Sequence, residues 1–276
     1  MGGTLFIGNQ MVSPVIIQGE EKAFNVDGYD WLGEVNQQGE LVAPTKDINL
    51  VFNGVKEITN RILDNKFKND TRVKSASFPD LKKIINGGSL YNTFYGCPNL
   101  TSVDISSVEE VGNEGFTQTF QLTNITGDLH FRNLKKVGLN SFYCAFYRCQ
   151  NLGNAYFYSL EKIGEEDTLP YANLNGMFSE SGLKKAYFLV LSDISNYTSR
   201  GALVGTFEYC SELTDIYFNA LNSNSFGEYT SQFNDMIYGC NGVTVHFPVG
   251  LDATIGNWSS VLSGFGGTNT TILYDL

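Results

Sequence analysis

The chain has 276 residues, of which 42% are hydrophobic, so it is long and apolar enough to bury a continuous core. Acidic residues outnumber basic ones by 29 to 18, and the net charge of −11 opposes sequence-independent binding of nucleic acid. The basic residues are scattered, in pairs such as Lys82-Lys83, so neither a nucleic-acid partner nor a polybasic membrane patch is expected.

The first 45 residues do not repeat. Two short, mainly apolar runs at residues 5–7 and 10–12 flank Gly8-Asn9, which predicts a hairpin within a small β cap over residues 1–45. No basic segment with a long apolar run follows Met1, and no stretch approaches the ~18 apolar residues of a membrane span. We therefore expect no signal peptide in the given chain and no membrane insertion.

From residue 46 onward the sequence repeats every 26 to 31 residues, a period typical of solenoids. Each unit opens with two apolar residues two positions apart, which predicts a strand with one buried face. We call the second of these residues the anchor. The anchors are Phe52, Phe78, Ile105, Phe131, Phe157, Phe188, Phe218 and Phe247, and the residues two positions earlier are Leu50, Ala76, Val103, Leu129, Ala155, Ala186, Ile216 and Val245.

Two further apolar columns follow the anchors at intervals of three residues. They are expected to fill the core as the chain turns away from the sheet. The columns are Val55, Leu81, Val108, Leu134, Leu160, Leu191 and Leu221, and then Ile58, Ile84, Val111, Val137, Ile163 and Ile194.

A second landmark in each unit is an apolar residue followed three positions later by a small, weakly polar residue. Four of the five cysteines occupy this small position, and Thr or Ser replaces them elsewhere, so the position selects for packing and backbone capping. We predict free, mostly buried thiols, with Cys144 more exposed and the most open to oxidation. The pairs are Phe94 and Cys97, Phe120 and Thr123, Phe146 and Cys149, Phe178 and Ser181, Phe207 and Cys210, and Ile237 and Cys240.

These columns resemble the BspA-type leucine-rich repeat family, whose units carry a phrase like A-F-x-G-C-x-x-L-x-x-I-x-I-P. Residues 94–105 read FYGCPNLTSVDI, and residues 146–157 and 207–218 follow the same pattern. The resemblance implies a right-handed solenoid with a parallel β-sheet on one face, with repeats over 46–244 and a C-terminal cap over 245–276 containing Asn257-Trp258. Insertions at residues 168–171 and 196–198 depart from the pattern and predict longer loops there.

The resemblance implies a non-catalytic binding or adhesion module, without a cofactor, that recognises a host-surface protein or glycan outside the cell. The opening residues also resemble the N-terminal segments of phage structural proteins. The alternative is therefore a structural component of a virion, in the tail or as a capsid decoration, with residues 1–45 contacting other virion proteins. The expected location is a bacterial cell surface or a phage particle.

Few residues in the chain could support catalysis or bind a metal. The two histidines, His130 and His246, lie four repeats apart, roughly 19 Å at ~4.8 Å per rung, so they cannot share a metal. Asp104 and Asp128 point outward from adjacent rungs at a separation of about 8 Å, which is within the range for inverting glycosidases. Their polar neighbours argue against a desolvated acid. Polysaccharide cleavage is thus the third alternative, and we expect no catalytic residue.

Residues one position before the anchors point away from the core, onto the exposed face of the sheet. In the middle rungs this column is rich in amphipathic rings, which suit a sugar or an extended peptide. A purely structural ladder of cross-strand aromatic pairs is the alternative. With the adjacent column after the anchors, the predicted ligand-binding residues are His130, Tyr156, Tyr158, Tyr187, Leu189, Tyr217 and His246.

Overall fold

The computed structural model describes most of the chain from residue 47 onward. Within the first 46 residues it describes only the backbone of six short strands. The residues after 46 that it leaves undescribed are 53, 60, 62, 86–88, 164–172, 195–200, 227–230 and 255–257.

The described residues are built almost entirely from strands and turns. One turn of 3-10 helix lies at Ser231–Phe233, and the two short α-helices are α1 (Leu251–Thr254) and α2 (Trp258–Ser263). No helix within this described part of the chain has the length and apolar character needed to cross a membrane. The strands are β1 (Leu5–Ile7), β2 (Gln10–Val12), β3 (Val15–Ile17), β4 (Glu20–Lys22), β5 (Glu34–Val35), β6 (Leu41–Val42), β7 (Ile48–Val51), β8 (Glu57–Ile58), β9 (Val73–Ser77), β10 (Lys83–Ile84), β11 (Ser102–Asp104), β12 (Glu110–Val111), β13 (Gly127–Phe131), β14 (Lys136–Val137), β15 (Leu152–Phe157), β16 (Lys185–Phe188), β17 (Asp215–Phe218), β18 (Thr244–Phe247) and β19 (Thr271–Tyr274).

The repeats form a parallel β-solenoid, as the sequence predicted. One strand per repeat joins one of two parallel ladders. β7, β9 and β11 pair in order in the first, and β13 and β15 to β19 pair in order in the second. The pairing aligns residues of like position: Phe131 lies opposite Phe157, and Phe157 lies opposite Phe188. The repeat period read from the sequence is therefore the rung of the solenoid.

The anchor rings stack on one another inside the solenoid. The centroids of Phe131 and Phe157 lie 4.6 Å apart and those of Phe157 and Phe188 4.7 Å apart, with the rings within 6° of parallel. Phe157 and Phe188 are completely buried. Phe218 and Phe247 continue this stack, which we call the phenylalanine stack. The prediction that these residues occupy one core layer is confirmed.

The column six residues after the anchors is buried, as predicted, but it also forms a second parallel sheet. The two-residue strands β8, β10, β12 and β14 pair in that order. A single bridge between Lys162 and Asp193 joins the corresponding positions of later rungs. The sequence did not predict this sheet because two residues are too few to show the alternation of a strand.

Consecutive tight turns complete each rung between the second sheet and the next long strand. Two positions in each rung adopt positive φ, which explains why Gly and Asn are frequent there. Cys144 occupies the first of these positions, which accounts for its separation from the other cysteines. The first position holds Asn65, Asn92, Gln118, Cys144, Gly176, Gly205 and Asp235, and the second holds Asn69, Gly96, Leu122, Arg148, Glu180, Tyr209 and Gly239.

Backbone hydrogen bonds join the turns of successive rungs, and they all run in one direction. The N–H of Phe67 donates to the carbonyl of Thr93, that of Phe94 to Thr119 and that of Phe120 to Ala145, at 2.9 to 3.0 Å. In every such pair the donor lies on the earlier rung and the acceptor on the later one. The turns thus form a continuous hydrogen-bonded stack beside the sheets, which we call the turn stack.

The parallel sheet predicted on one face of the solenoid is divided into two parts. β11 pairs with β9 and β13 pairs with β15, but within the fully described stretch 89–163 no ladder joins β11 to β13. A register irregularity lies at the start of β13, where Gly127 has a φ of 78°. Val103, predicted to be core, is only partly buried because β11 is separated from the next strand.

The described strands at the two ends also extend the solenoid. β1 and β2 form the predicted hairpin, and β3 pairs antiparallel with β7 of the first rung. Within the predicted C-terminal cap, β19 pairs in parallel with β18 and adds another rung. The indole Nε1 of Trp258 in α2 donates to the hydroxyl of Tyr274 in β19. The insertions at 168–171 and 196–198, and Asn257, lie outside the described residues.

All five cysteines are free thiols, and the four in the repeat column are buried, as predicted. Each of these four caps the carbonyl of an earlier rung: Cys97 Sγ donates to Phe67 O at 2.9 Å and Cys210 Sγ to Phe178 O at 2.9 Å. Burial raises the pKa of Cys97 and Cys210 to about 12 and that of Cys149 and Cys240 to about 11.

Cys144 is more exposed than the other cysteines, as expected. Burial nevertheless raises the pKa of its thiol to about 11. The thiolate is the reactive form of cysteine, and at neutral pH it is scarce at this site. The structure therefore gives Cys144 less tendency to oxidise than its position in the sequence indicated.

We predict that reducing agent leaves the Tm unchanged and that the native thiols react slowly with a thiol-specific reagent at pH 8. In denaturant all five should react at once, because unfolding restores their ordinary pKa values. Differential scanning fluorimetry and a colorimetric thiol titration measure these two effects. A fall in Tm of more than about 10 °C with reductant would show that disulfides stabilise the fold.

Candidate functional site

The outward-pointing column of the larger sheet forms a continuous stack of five rings, which we call the ring ladder. His130, Tyr156, Tyr187, Tyr217 and His246 occupy aligned positions on β13, β15, β16, β17 and β18. The centroid distances along it are 5.1, 4.7, 4.7 and 4.2 Å, and neighbouring planes lie within 15° of parallel. The pairing of parallel strands sets this spacing, since their backbones lie about 4.8 Å apart.

Stacking determines which part of each tyrosine a ligand can reach. Both faces of Tyr156, Tyr187 and Tyr217 are covered by neighbouring rings, and all three side chains are half-buried. A ligand on the sheet therefore meets ring edges and hydroxyl groups. This differs from the flat apolar faces expected from the sequence, because adjacent rungs bring the rings into contact with each other.

At the His130 end of the ring ladder, Tyr158 lies beside Tyr156. The hydroxyl of Tyr158 lies 3.1 Å from Nδ1 of His130, and its ring centroid lies 5.9 Å from that of Tyr156. The guanidinium of Arg132 lies over the Tyr158 ring, 5.4 Å from its centroid. Leu189 is half-buried on the next rung at the position that corresponds to Tyr158. The structure thus brings Tyr158, His130 and Tyr156 together, with Leu189 beside them.

A polar row flanks the ring ladder and was not identified from the sequence. Asn154, Lys185 and Asp215 lie two residues before the three tyrosines and are aligned by the same strand pairing. The amide of Asn154 donates to the Tyr156 hydroxyl at 3.4 Å, and Lys185 Nζ lies 2.9 Å from Asp215 Oδ2. Residues two apart in a strand share a face, so extending the analysis by two positions would have found this row.

His246 lies inside the structure, which corrects the prediction that it borders an exposed strip. Its residue is 8% exposed, because Tyr217 stacks on one side and β19 adds Leu273 on the other. Nδ1 lies 3.0 Å from both carboxylate oxygens of Asp275, and Nε2 lies 3.2 Å from Asp215 Oδ1. These contacts hold His246 in place at the end of the ring ladder.

The environment keeps the tyrosine hydroxyls protonated. Burial raises the pKa of Tyr156, and the nearby Asp128 carboxylate raises it further. Burial also raises the pKa of Tyr187, although Lys185 opposes the effect. Both phenols can therefore act as hydrogen-bond donors as well as acceptors at neutral pH.

Asp104 and Asp128, the pair considered for catalysis, are both exposed, and each accepts a hydrogen bond from a backbone amide. Asp104 Oδ1 accepts from Ser106 N at 3.0 Å, and Asp128 Oδ1 accepts from Asn154 N at 2.8 Å. No group of three or more His, Cys, Asp or Glu side chains that could hold a metal occurs in the described ranges.

Comparison with known families finds six copies of the BspA type leucine-rich repeat region over residues 60–188. These residues include the rungs from β9 to β16 and therefore the first half of the ring ladder. No curated protein and no solved structure matches the chain.

We predict that Asp215→Asn lowers the free energy of unfolding at pH 7 by about 1 kcal/mol, and the Tm with it. Burial disfavours the Asp215 charge, but hydrogen bonds from Lys185, Thr214 and His246 lower its pKa overall. The ionised group therefore stabilises the fold above the unfolded pKa of about 3.9, and this stabilisation is lost as pH falls through the lower folded pKa.

The difference in Tm between wild type and Asp215→Asn should accordingly narrow below about pH 4. Thermal unfolding monitored by circular dichroism from pH 2.5 to 8 measures it. Glu212→Gln, at an exposed position of the preceding turn, is the matched control and should show little difference at any pH. A difference for Asp215→Asn that does not vary with pH would contradict the assignment.

Proposed function

We propose that this chain, which carries six copies of the BspA type leucine-rich repeat region over residues 60–188, is a non-catalytic binding module that recognises a host-surface protein or glycan. The observation that carries this proposal is the ring ladder with its polar row on the outer face of the larger sheet. Residues of the ladder present hydroxyls and ring edges beside the amide, ammonium and carboxylate of Asn154, Lys185 and Asp215.

The spacing of these groups suits an extended ligand. The rings of Tyr156, Tyr187 and Tyr217 repeat every 4.7 Å along the sheet. Because the rings hold each other in position, little side-chain entropy remains to be lost when a ligand binds. Tyrosine edges combine apolar area with a hydroxyl, a combination enriched at interfaces. A glycan chain or a peptide strand lying along the solenoid would contact several rungs at once.

A structural role alone does not account for the polar row. Cross-strand ring pairs stabilise a sheet by about 0.2 to 1 kcal/mol each, which explains the stacking. Asp215 contributes to stability also through Thr214 and His246, but the side chain of Lys185 in this row is still 38% exposed. Their placement beside the tyrosine hydroxyls supports recognition of polar groups on a ligand.

The geometry favours binding over polysaccharide cleavage. A glycosidase acid needs an apolar environment to hold its proton near neutral pH. Asp104 and Asp128 are exposed to solvent, and each accepts a hydrogen bond from a backbone amide. A module that binds without turnover is the simpler account of these residues.

We place the module outside the cell, on a bacterial surface or on a virion to which residues 1–45 would attach it. An open binding face of this kind serves adhesion, and the net charge of −11 disfavours nucleic acid as its target. We predict that immunogold labelling marks the surface of intact producing cells or of purified phage particles. Label confined to the interior of sectioned cells would contradict this location.

We predict that replacing Tyr156, Tyr187 and Tyr217 together by serine weakens binding more than 10-fold, with only a modest loss of stability. The three side chains point away from the phenylalanine stack, so the core is left intact, whereas each lost contact costs about 1 kcal/mol of binding. A glycan array and a target-cell binding assay with the full chain measure the effect.

The matched control replaces three exposed tyrosines of the turn stack, Tyr143, Tyr209 and Tyr238, by serine. These rings are 38 to 49% exposed and lie away from the ring ladder. Their loss should leave binding within about threefold of wild type. Equal binding by the ladder variant and the parent would show that the ladder is structural only.

A further inference from the structure

The break between β11 and β13 leaves an opening in the sheet, and a hydrogen bond joins the two rungs on each side of it. On one side of it Thr126 N donates to Thr101 O at 3.0 Å. On the other side the amide of Asn133 donates to Ser106 O at 2.9 Å. Between these two bridges the adjacent strands form no ladder in the described stretch 89–163. The rungs are thus joined at both ends of the opening and separated in its middle.

A cavity of about 220 Å³ occupies this opening. It is smaller than the roughly 300 Å³ at which pockets for drug-sized ligands begin, so it fits a single ring. Its charged and polar lining is mixed: Asp104, Ser106, Asp128, His130 and Arg132 surround it. The lining can both donate and accept hydrogen bonds.

His130 is part of the cavity lining. One face of its ring stacks on Tyr156, with the centroids 5.1 Å apart and the planes 15° from parallel. Because β13 lies between β15 and the opening, the second face of the imidazole turns toward β11. The residue aligned with it there is Asp104, which carries no ring. The ring ladder therefore ends in an aromatic face that no other ring covers among the described residues.

The carboxylates around this face are held in fixed positions. Asp104 Oδ1 is bound by Ser106 N, and Asp128 Oδ1 is bound by Asn154 N. Asp128 also lies directly over Gly153, where a Cβ atom would come within 2.3 Å of Oδ1. Each Asp keeps a second oxygen available to accept hydrogen bonds. The guanidinium of Arg132 offsets the charge of one of the two carboxylates and adds hydrogen-bond donors to the lining.

We propose that this cavity binds one neutral pyranose residue, such as a hexose or an N-acetylhexosamine. The apolar C–H face of the sugar rests on the imidazole of His130, as the next layer of the ring ladder. Sugar hydroxyls donate to Asp104 and Asp128 and accept from Arg132. This inference rests on the proposed function and deepens it: the bound sugar is a terminal or internal unit of a glycan that continues along Tyr156 and Tyr187.

The test uses the full chain and the methyl glycosides of glucose, galactose, mannose and N-acetylglucosamine as probes. We expect saturation-transfer NMR to detect at least one of them, with a Kd on the order of 1 mM, as befits a ligand of this size. His130→Ala and Asp104→Ala should each weaken binding at least 10-fold. His130→Tyr should stay within about threefold of wild type, because it keeps a ring at the end of the ladder.

Glu212→Gln is the charge control and should bind as wild type does. Failure of all four glycosides to bind, or equal binding by His130→Ala and the parent, overturns this inference. Target binding that depends on the three tyrosines without glycoside binding would remove only this inference. If a glycoside binds but the tyrosine substitutions leave target binding unchanged, the cavity site is supported and the proposed role of the ring ladder is removed.

Discussion

The rise from one rung to the next is the constraint on which the rest of the structure depends. Backbone hydrogen bonds between parallel strands set it at about 4.8 Å, close to the distance at which aromatic rings pack face to face. Because these two distances nearly match, rings on successive rungs stack both in the phenylalanine stack and in the ring ladder, with centroids 4.6 and 4.7 Å apart, respectively. The same repeat therefore builds the core and aligns the rings of the outer face, so a change in the distance between rungs would disturb both.

Much of the fold could be predicted because each column has one environment in every rung. Residues equivalent to Phe157 are apolar throughout. The cysteine column accepts Thr123, which donates to the carbonyl of Phe120 as Cys149 does, and Ser181, whose hydroxyl contacts Cys210 Sγ and accepts from Leu183 N. The break at β11 was missed, although two signals mark it. Ile105 is the one aliphatic residue among the anchors, and Gly127 adopts a positive φ one strand later. A single branched side chain cannot continue a stack of phenyl rings, but a sequence pattern treats it as equivalent.

The candidate site was predicted in position but not in detail. Alternation along the strands identified the column of Tyr156, Tyr187 and Tyr217, since successive side chains of a strand point to opposite faces of the sheet. It did not show that neighbouring rings cover each other's faces, because that depends on the distance between rungs. The burial of His246 was missed because β19, which covers it, belongs to no repeat in the sequence. Contacts between a repeat and a unique segment leave no periodic signal.

The turn stack has a further physical consequence. Alternate amide groups of the turn stack donate to the next rung, toward the C-terminal end, so the dipoles of these peptides add from rung to rung, with the opposite polarity along the chain to that of an α-helix. The partial positive charge of these dipoles therefore lies at the C-terminal end, where Asp235 and Ile237 donate to the carbonyls of Gly264 and Phe265, and the partial negative charge lies at the first rung. The two ends of this stack are electrically unlike, and a second solenoid could continue it only head to tail.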